Sequence, residues 1–156
     1  MARTRIEGLA HVVTVDEGFT ILDDATIEMM TQYGERIGVA FQIADDLVDL
    51  VSDSKMSGKT QGTDLREGIK TLPALLALRD PNTPDDIRDL LSRPLPDETD
   101  HEQALHWILQ SDALQQARTV AADWAQQARD SVEGLPAGPV KDALFALADY
   151  VVDRHT

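Results

Sequence analysis

The chain contains no cysteine, and only seven of its 156 residues are aromatic: three Phe, two Tyr and two Trp. The absence of cysteine excludes disulfide frameworks, thiolate metal sites and cysteine nucleophiles. With so few aromatic residues, a core must be built mainly from Ala, Leu, Ile and Val, which suits packed helices better than a β-sandwich. The length allows one domain with a substantial core. We therefore expect residues 1–156 to form a single all-α domain.

Long apolar runs and positive charge are also scarce. No run approaches the roughly 20 residues of a membrane span, and the start of the chain has no signal-peptide pattern. We therefore expect a cytoplasmic protein that does not span a membrane. The formal net charge of -14 repels phosphate backbones and argues against nucleic-acid binding. Any phosphate ligand would need divalent cations or a local basic patch.

The most regular helical pattern runs from Asp24 to about Ser52, and Asp23 and Asp24 sit where N-capping carboxylates belong. Its apolar residues recur every three or four positions and predict a seam that packs against other helices. This seam comprises Met30, Gly34, Ile37, Phe41, Ala44, Val48 and Val51.

The rest of the chain also reads as helices and loops. The small, polar residues 52–63 predict a mobile loop, and Asp64 with Glu67 has the spacing of a capping box. Thr71 is the expected N-cap of a helix that carries Pro73 in its first turn. Residues 80–99 predict a proline-rich surface connection. Further helical patterns lie near 97–110, 112–133 and 139–154, residues 1–20 fit a strand, a loop or a poor helix, and no β-hairpin pattern is evident.

Three aspartates crowd into the long helix, in the stretch FQIADDLVD at residues 41–49. Gln42, Asp45 and Asp49 share a stripe offset from the apolar seam, and Asp46 lies about 100° round from Asp45. Carboxylates this close repel one another, and a covered cluster is costly unless a cation occupies it. Oxygen ligands of this kind suit Mg²⁺. The alternative is a solvated acidic face on an acidic protein, which the DDxxD spacing alone favours equally.

The segment after the aspartates reverses the local sign of charge, because it holds Lys55, Lys59, Arg66 and Lys70. A glycine-containing loop with lysines beside a carboxylate helix fits a lid over a metal-bound polyphosphate. The alternative is a flexible surface loop whose lysines balance the nearby acids.

The stretch GVAFQIADDLVDLVSDSKMSGKTQGTDLREGIKTLPALLAL, residues 38–78, resembles the second aspartate-rich region of the trans-polyprenyl diphosphate synthases. The family pattern is roughly G-x-x-F-Q-x-x-D-D-x-x-D, then G-K-x-x-G-x-D-L, then T-L-P. This resemblance implies a helical bundle of the isoprenoid synthase type. It also implies prenyl transfer from an allylic diphosphate to isopentenyl diphosphate, with Mg²⁺ assisting the departure of diphosphate.

The resemblance also implies roles for individual residues. Asp45 and Lys59 would be catalytic, the latter by contacting the allylic diphosphate. The implied metal ligands are Asp45, Asp46 and Asp49, and the implied substrate-binding residues are Gln42, Lys59 and Lys70. Phe41 is expected in the core because it lies on the apolar seam.

Two departures from the family pattern matter. Ile69 stands where the family has a lysine, with Lys70 one position later. The first aspartate-rich motif is missing, and Asp23 with Asp24 is explained by helix capping. The chain therefore resembles the C-terminal part of a synthase, and we expect a homodimer or a complex with another synthase chain. The alternatives are a non-catalytic subunit that modulates a full-length synthase, or an inactive fragment.

The four histidines have no metal-ligand spacing on a helix, and we expect all of them at the surface. They are His11, His101, His106 and His155.

Overall fold

The structure is a computed structural model that describes residues 13–15, 18–20, 23–52 and 61–153. Its elements are β1 (Val13–Val15), β2 (Gly18–Thr20), α1 (Asp24–Val51), α2 (Thr63–Glu67), α3 (Leu72–Arg79), α4 (Asp85–Leu90), α5 (Glu98–Gln110), α6 (Asp112–Ser131) and α7 (Pro139–Asp153). The two short strands form an antiparallel hairpin in which Val13 pairs with Thr20. The helices confirm the all-α class, and the hairpin is an element that the sequence pattern did not predict.

The predicted helix starts agree with the observed ones because they depend on local capping. Asp23 is the N-cap of α1, and its carboxylate accepts a hydrogen bond of 2.7 Å from the backbone amide of Thr26. Thr71 is the N-cap residue of α3, with Pro73 in the first turn. The prediction of a capping box at Asp64 and Glu67 was wrong, because the N-cap of α2 is Gly62, in a left-handed conformation.

The buried face of α1 is not the predicted seam. The buried residues are Tyr33, Ala40, Ile43, Ala44, Leu47 and Leu50. Only Ala44 belongs to both sets, while Gly34 is exposed and Phe41 is 42% exposed, so the expectation of a core Phe41 was wrong. Apolar residues occur on more than one face of α1, and the helix that packs against α1 decides which of them are buried.

That partner is chiefly α6, which packs along α1. The buried side of α6 consists mostly of alanines, and small side chains let two helices approach closely. Leu47 is fully buried in the largest core cluster, to which α3, α4 and α5 also contribute. At the other end of α1, the Tyr33 hydroxyl donates a 2.6 Å hydrogen bond to the carbonyl of Leu144 and so ties α1 to α7.

The proline-rich residues 80–99 are more than a surface connection. They contain α4, and Ile87, Leu90, Leu91 and Leu95 are all buried in the core. Among the described residues, no helix is long and apolar enough to cross a membrane.

Candidate functional site

The three clustered aspartates lie on the last two turns of α1, at the border between its buried and exposed faces. Asp45, Asp46 and Asp49 are half-buried, whereas the neighbouring Ala44 and Leu47 are fully covered. The helical period places the acids beside the core-facing residues rather than on the far side of the helix. The carboxylates are therefore partly removed from solvent, where like charges repel more strongly than in water.

Asp46 shows the effect of this crowding most clearly. Burial raises the pKa of Asp46, a hydrogen bond from Gln42 lowers it, and the charges of Asp45 and Asp49 raise it again, with a net increase. The Gln42 side-chain amide donates to Oδ1 of Asp46 at 3.0 Å. Gln42 therefore contacts the cluster and orients one carboxylate, and its substrate-binding role remains a prediction. A cation at this position would relieve the repulsion that favours the neutral form.

Asp49 connects the aspartates of α1 to the start of α2. Its Oδ1 accepts from the backbone amide of Thr63 and its Oδ2 from that of Asp64, both at 3.2 Å. Its backbone carbonyl accepts from the amide of Gly62 at 2.9 Å. These three bonds fix the turn at residues 62–64 against the end of α1.

Asp64 is a fourth carboxylate of the cluster that the sequence analysis did not include. Burial raises the pKa of Asp64, and the charges of Asp49, Asp46 and Glu67 raise it further. The signal that could have identified it is its place in the G-x-D-L part of the motif at residues 62–65. The spacing of Asp64 and Glu67 predicted a helix cap instead, but the N-cap residue of α2 is Gly62.

His101 holds the same turn from the side of α5. It is only 2% exposed, so the expectation of a surface histidine was wrong for this residue, although His106 is exposed. Its Nε2 lies 3.0 Å from the carbonyl oxygen of Gly62, and its Nδ1 lies 3.2 Å from a guanidinium nitrogen of Arg66. With Nε2 donating and Nδ1 accepting, a neutral imidazole satisfies both contacts. Arg66 is fixed in turn by an ion pair of 2.6 Å with Glu98.

The predicted lysines are not brought to the aspartates by the described contacts. Lys59 lies outside the described residues, as do residues 53–60 of the predicted mobile loop. The ammonium group of Lys70 donates a 2.6 Å hydrogen bond to the carbonyl of Leu91, next to the end of α4. This contact ties the segment before α3 to the residue that follows α4, and the substrate-binding role of Lys70 remains a prediction.

The acidic cluster fits a divalent cation that takes only part of its coordination shell from the protein. Among the described residues, no group of three or more His, Cys, Asp or Glu side chains converges to hold a metal. Mg²⁺ is commonly bound through one or two carboxylates, with waters and substrate phosphates completing an octahedron. Asp45 and Asp46 supply hard oxygen donors of this kind. The donor set therefore suits Mg²⁺ together with a phosphate ligand better than Mg²⁺ alone.

A second DDxxD pattern, at residues 85–89, provides an internal comparison. Asp85, Asp86 and Asp89 stand on α4 and are all exposed. Asp89 accepts from the Arg93 guanidinium at 3.3 Å, and Asp86 accepts from Gln103 at 3.2 Å. The spacing is the same as in residues 45–49, but these carboxylates are solvated. They represent the solvated acidic face that was the alternative for the first cluster.

Comparison with known sequences gives a consistent result. A model of the polyprenyl synthetase family matches residues 11–108. The chain is 43% identical over 139 residues to nonaprenyl diphosphate synthase of Mycobacterium tuberculosis, a match that covers 88% of this chain and 41% of that protein. It is 33% identical over 132 residues to all trans-polyprenyl-diphosphate synthase of Homo sapiens, covering 85% of this chain and 31% of that protein.

Solved structures agree with the sequence comparison. Geranylgeranyl pyrophosphate synthase of Corynebacterium glutamicum, complexed with calcium and isoprenyl diphosphate, matches with a TM-score of 0.77 and 36% identity, over 85% of this chain and 41% of that one. Polyprenyl synthase of Caulobacter crescentus, with the same ligands, matches with a TM-score of 0.75 and 36% identity, over 86% of this chain and 42% of that one. The chain thus spans less than half the length of the proteins it matches.

Proposed function

This chain belongs to the polyprenyl synthetase family, and on that premise we propose that it forms one metal- and diphosphate-binding wall of a prenyl diphosphate synthase. The reaction would transfer a prenyl group from an allylic diphosphate to isopentenyl diphosphate and release diphosphate. The observation that carries the proposal is the half-buried carboxylate cluster at the end of α1, in which burial and neighbouring charge raise the pKa of Asp46. A cation there would offset the mutual repulsion of these carboxylates.

Within this wall, each residue has a proposed role. Asp45 and Asp46 would hold Mg²⁺, and Gln42 would keep Asp46 oriented through the hydrogen bond already present. Lys59 would contact the leaving diphosphate, and Lys70 would do so only if it released the Leu91 carbonyl. When bound, Mg²⁺ supplies positive charge that stabilises the departing diphosphate.

The groups on the other side of the bound diphosphate are proposed to come from another part of a synthase, in the same polypeptide or in a partner chain. Electrostatic stabilisation of a leaving diphosphate acts on the charge as it develops and is strongest from preorganised groups around it. The chain matches 41% of the length of its Mycobacterium relative, so the relatives have further sequence that could supply those groups. A homodimer or a complex with a second synthase chain would serve the same purpose.

The test is a set of thermal melts of the purified chain with Mg²⁺, with inorganic diphosphate, with both and with neither. A ligand at a hundred times its Kd stabilises the folded state by about 2.7 kcal/mol. For a domain of this size, that corresponds to a rise in Tm of about 5–10 °C. We expect this rise only with both ligands, because the cluster suits a metal–phosphate complex.

Two variants make the test specific. Asp45→Asn removes a charged ligand and should largely remove the rise at the same Mg²⁺ concentration. Asp85→Asn makes the same change at the same position of the exposed DDxxD pattern and should leave the rise intact. A rise of equal size in the Asp45 variant, or no rise in the folded wild-type chain, would contradict a metal–diphosphate site here. It would instead favour a subunit or fragment without such a site.

A further inference from the structure

The third aspartate of the DDxxD motif has a different environment from the first two. Both carboxylate oxygens of Asp49 accept hydrogen bonds from backbone amides, Oδ1 from Thr63 and Oδ2 from Asp64, and neither bond is within its own helix. The N-cap residue of α2, Gly62, has no side chain that could accept from these amides. The first amides of a helix need acceptors from elsewhere. Asp49 supplies from α1 the acceptor that an N-cap side chain normally provides.

From this geometry, we infer that Asp49 acts as a positioning residue that anchors α2 against the aspartates of α1, rather than as a third metal ligand. The inference rests on the proposed function, because what Asp49 positions is the start of α2 beside the proposed metal ligands. It makes Asp45 and Asp46 the ligands that this motif supplies.

The electrostatics of the turn support this division of roles. The amide hydrogens of Thr63 and Asp64 point their positive ends at the Asp49 carboxylate, which occupies part of its acceptor capacity and stabilises its charge. A cation on the same oxygens would approach the positive ends of those amides. Among the described part of the chain, no three acidic or histidine side chains converge on one metal position.

The turn is also held from the opposite side. His101, on α5, contacts the carbonyl of Gly62 at 3.0 Å, while Asp49, on α1, contacts the amide of Gly62 through its own carbonyl at 2.9 Å. Residues of two helices thus hold Gly62 in place. Asp64 follows Gly62 by two residues, so the position of its carboxylate beside Asp46 depends on these contacts. Anchoring by Asp49 explains why the motif needs an acid one turn beyond Asp45 even if that acid binds no metal.

The decisive comparison is between Asp49→Asn and Asp45→Asn. Asparagine keeps one carbonyl oxygen, which can still accept from one of the two amides that Asp49 holds, but it is a neutral and poor ligand for Mg²⁺. The readout is the Mg²⁺ concentration that gives half of the Tm rise in the presence of inorganic diphosphate. We expect Asp49→Asn to raise it less than about threefold and Asp45→Asn to raise it more than tenfold. An equal rise in both variants would overturn the positioning role.

A second measurement requires no ligand and separates this inference from the proposed function. Asp49→Ala should speed amide hydrogen exchange at Thr63 and Asp64 at least tenfold, because both amides lose their acceptor, and Asp49→Asn should restore at least part of the protection. Asp45→Ala is the control and should leave both amides unchanged. Unchanged exchange in Asp49→Ala would sink the anchoring role even where Mg²⁺ and diphosphate bind as proposed. Conversely, faster exchange supports anchoring even if the chain binds no diphosphate.

Discussion

Replacement of Gly62 by alanine tests the anchored turn at its most constrained point. Gly62 has a φ of +66°, in the left-handed region that residues with a Cβ rarely adopt. An added Cβ would lie 3.1 Å from Nε2 of His101 and 3.2 Å from Cδ1 of Leu105. His101 cannot move away cheaply, because its ring is buried and holds both Gly62 and Arg66. Backbone strain and a crowded neighbour therefore act together.

The expected loss of stability follows from these two effects. The left-handed conformation costs a residue other than glycine about 1–2 kcal/mol. If the imidazole is displaced, the buried carbonyl of Gly62 loses its partner, which costs about 1–3 kcal/mol. We expect a combined loss of about 2–5 kcal/mol, which lowers Tm by roughly 4–20 °C in a chain of this length.

Gly38→Ala is a matched control that is expected to increase stability rather than to decrease it. Gly38 is in the interior of α1, and an added Cβ would find nothing within 4 Å. Alanine there should stabilise the helix by about 0.5–1 kcal/mol. Urea unfolding followed by circular dichroism measures both variants. If Gly62→Ala were as stable as wild type, the turn would not be held in the left-handed conformation, and the reasoning about its anchoring would fail.

Two further predictions concern charges on α1. Asp46→Asn should raise Tm at neutral pH without divalent cations, because it removes a half-buried charge beside Asp45 and Asp49. The folded-state pKa of Asp46 lies above its ordinary value of 3.8, so the stability of the wild type falls as pH rises from that value through the folded-state pKa. Melts from pH 3 to 8 should therefore show that the Tm advantage of the variant grows with pH. A Tm difference that does not change with pH would contradict this. Asp23→Asn should keep the α1 cap, since asparagine caps as well as aspartate. Hydrogen bonds from Thr26 lower the pKa of Asp23 below 3.8, so wild type should lose stability relative to the variant only as pH falls through that lowered pKa, and a gap already present at pH 6 would contradict it.

The helix boundaries could be predicted from sequence because local chemistry sets them. Asp23 caps α1 through an amide three residues away, and Pro73 favours the first turn of α3, so neither depends on the rest of the fold. The face of α1 that is buried could not be predicted in the same way. Both Phe41 and Ile43 are apolar, and a period of three to four residues fits either stripe. The alanine side of α6 selects the stripe with Ile43, which only tertiary packing reveals.

In the candidate site, too, contacts between neighbours on one helix could be predicted from sequence, and contacts between helices could not. The acidic motif at residues 45–49 and its partner Gln42 are adjacent on one helix, so the sequence alone brings them together. His101 reaches Gly62 across 39 positions of the chain, and no periodicity marks that contact. Its burial depends on how α5 packs beside α2. A sequence pattern therefore finds the metal-binding candidates but not the residues that hold them in place.

The two DDxxD patterns show why environment decides what a motif does. At residues 85–89 the acids lie on the exposed face of the short helix α4, where solvent surrounds them and Arg93 pairs with Asp89. At residues 45–49 the acids border a buried face, and burial with mutual repulsion raises the pKa of Asp46. A cation at residues 45–49 would offset the mutual repulsion of these half-buried carboxylates, whereas the acids at residues 85–89 are exposed to solvent. The same five-residue spacing is thus solvated in one helix and half-buried beside the core in another, and the difference lies in the residues between the aspartates and in the helices that cover them.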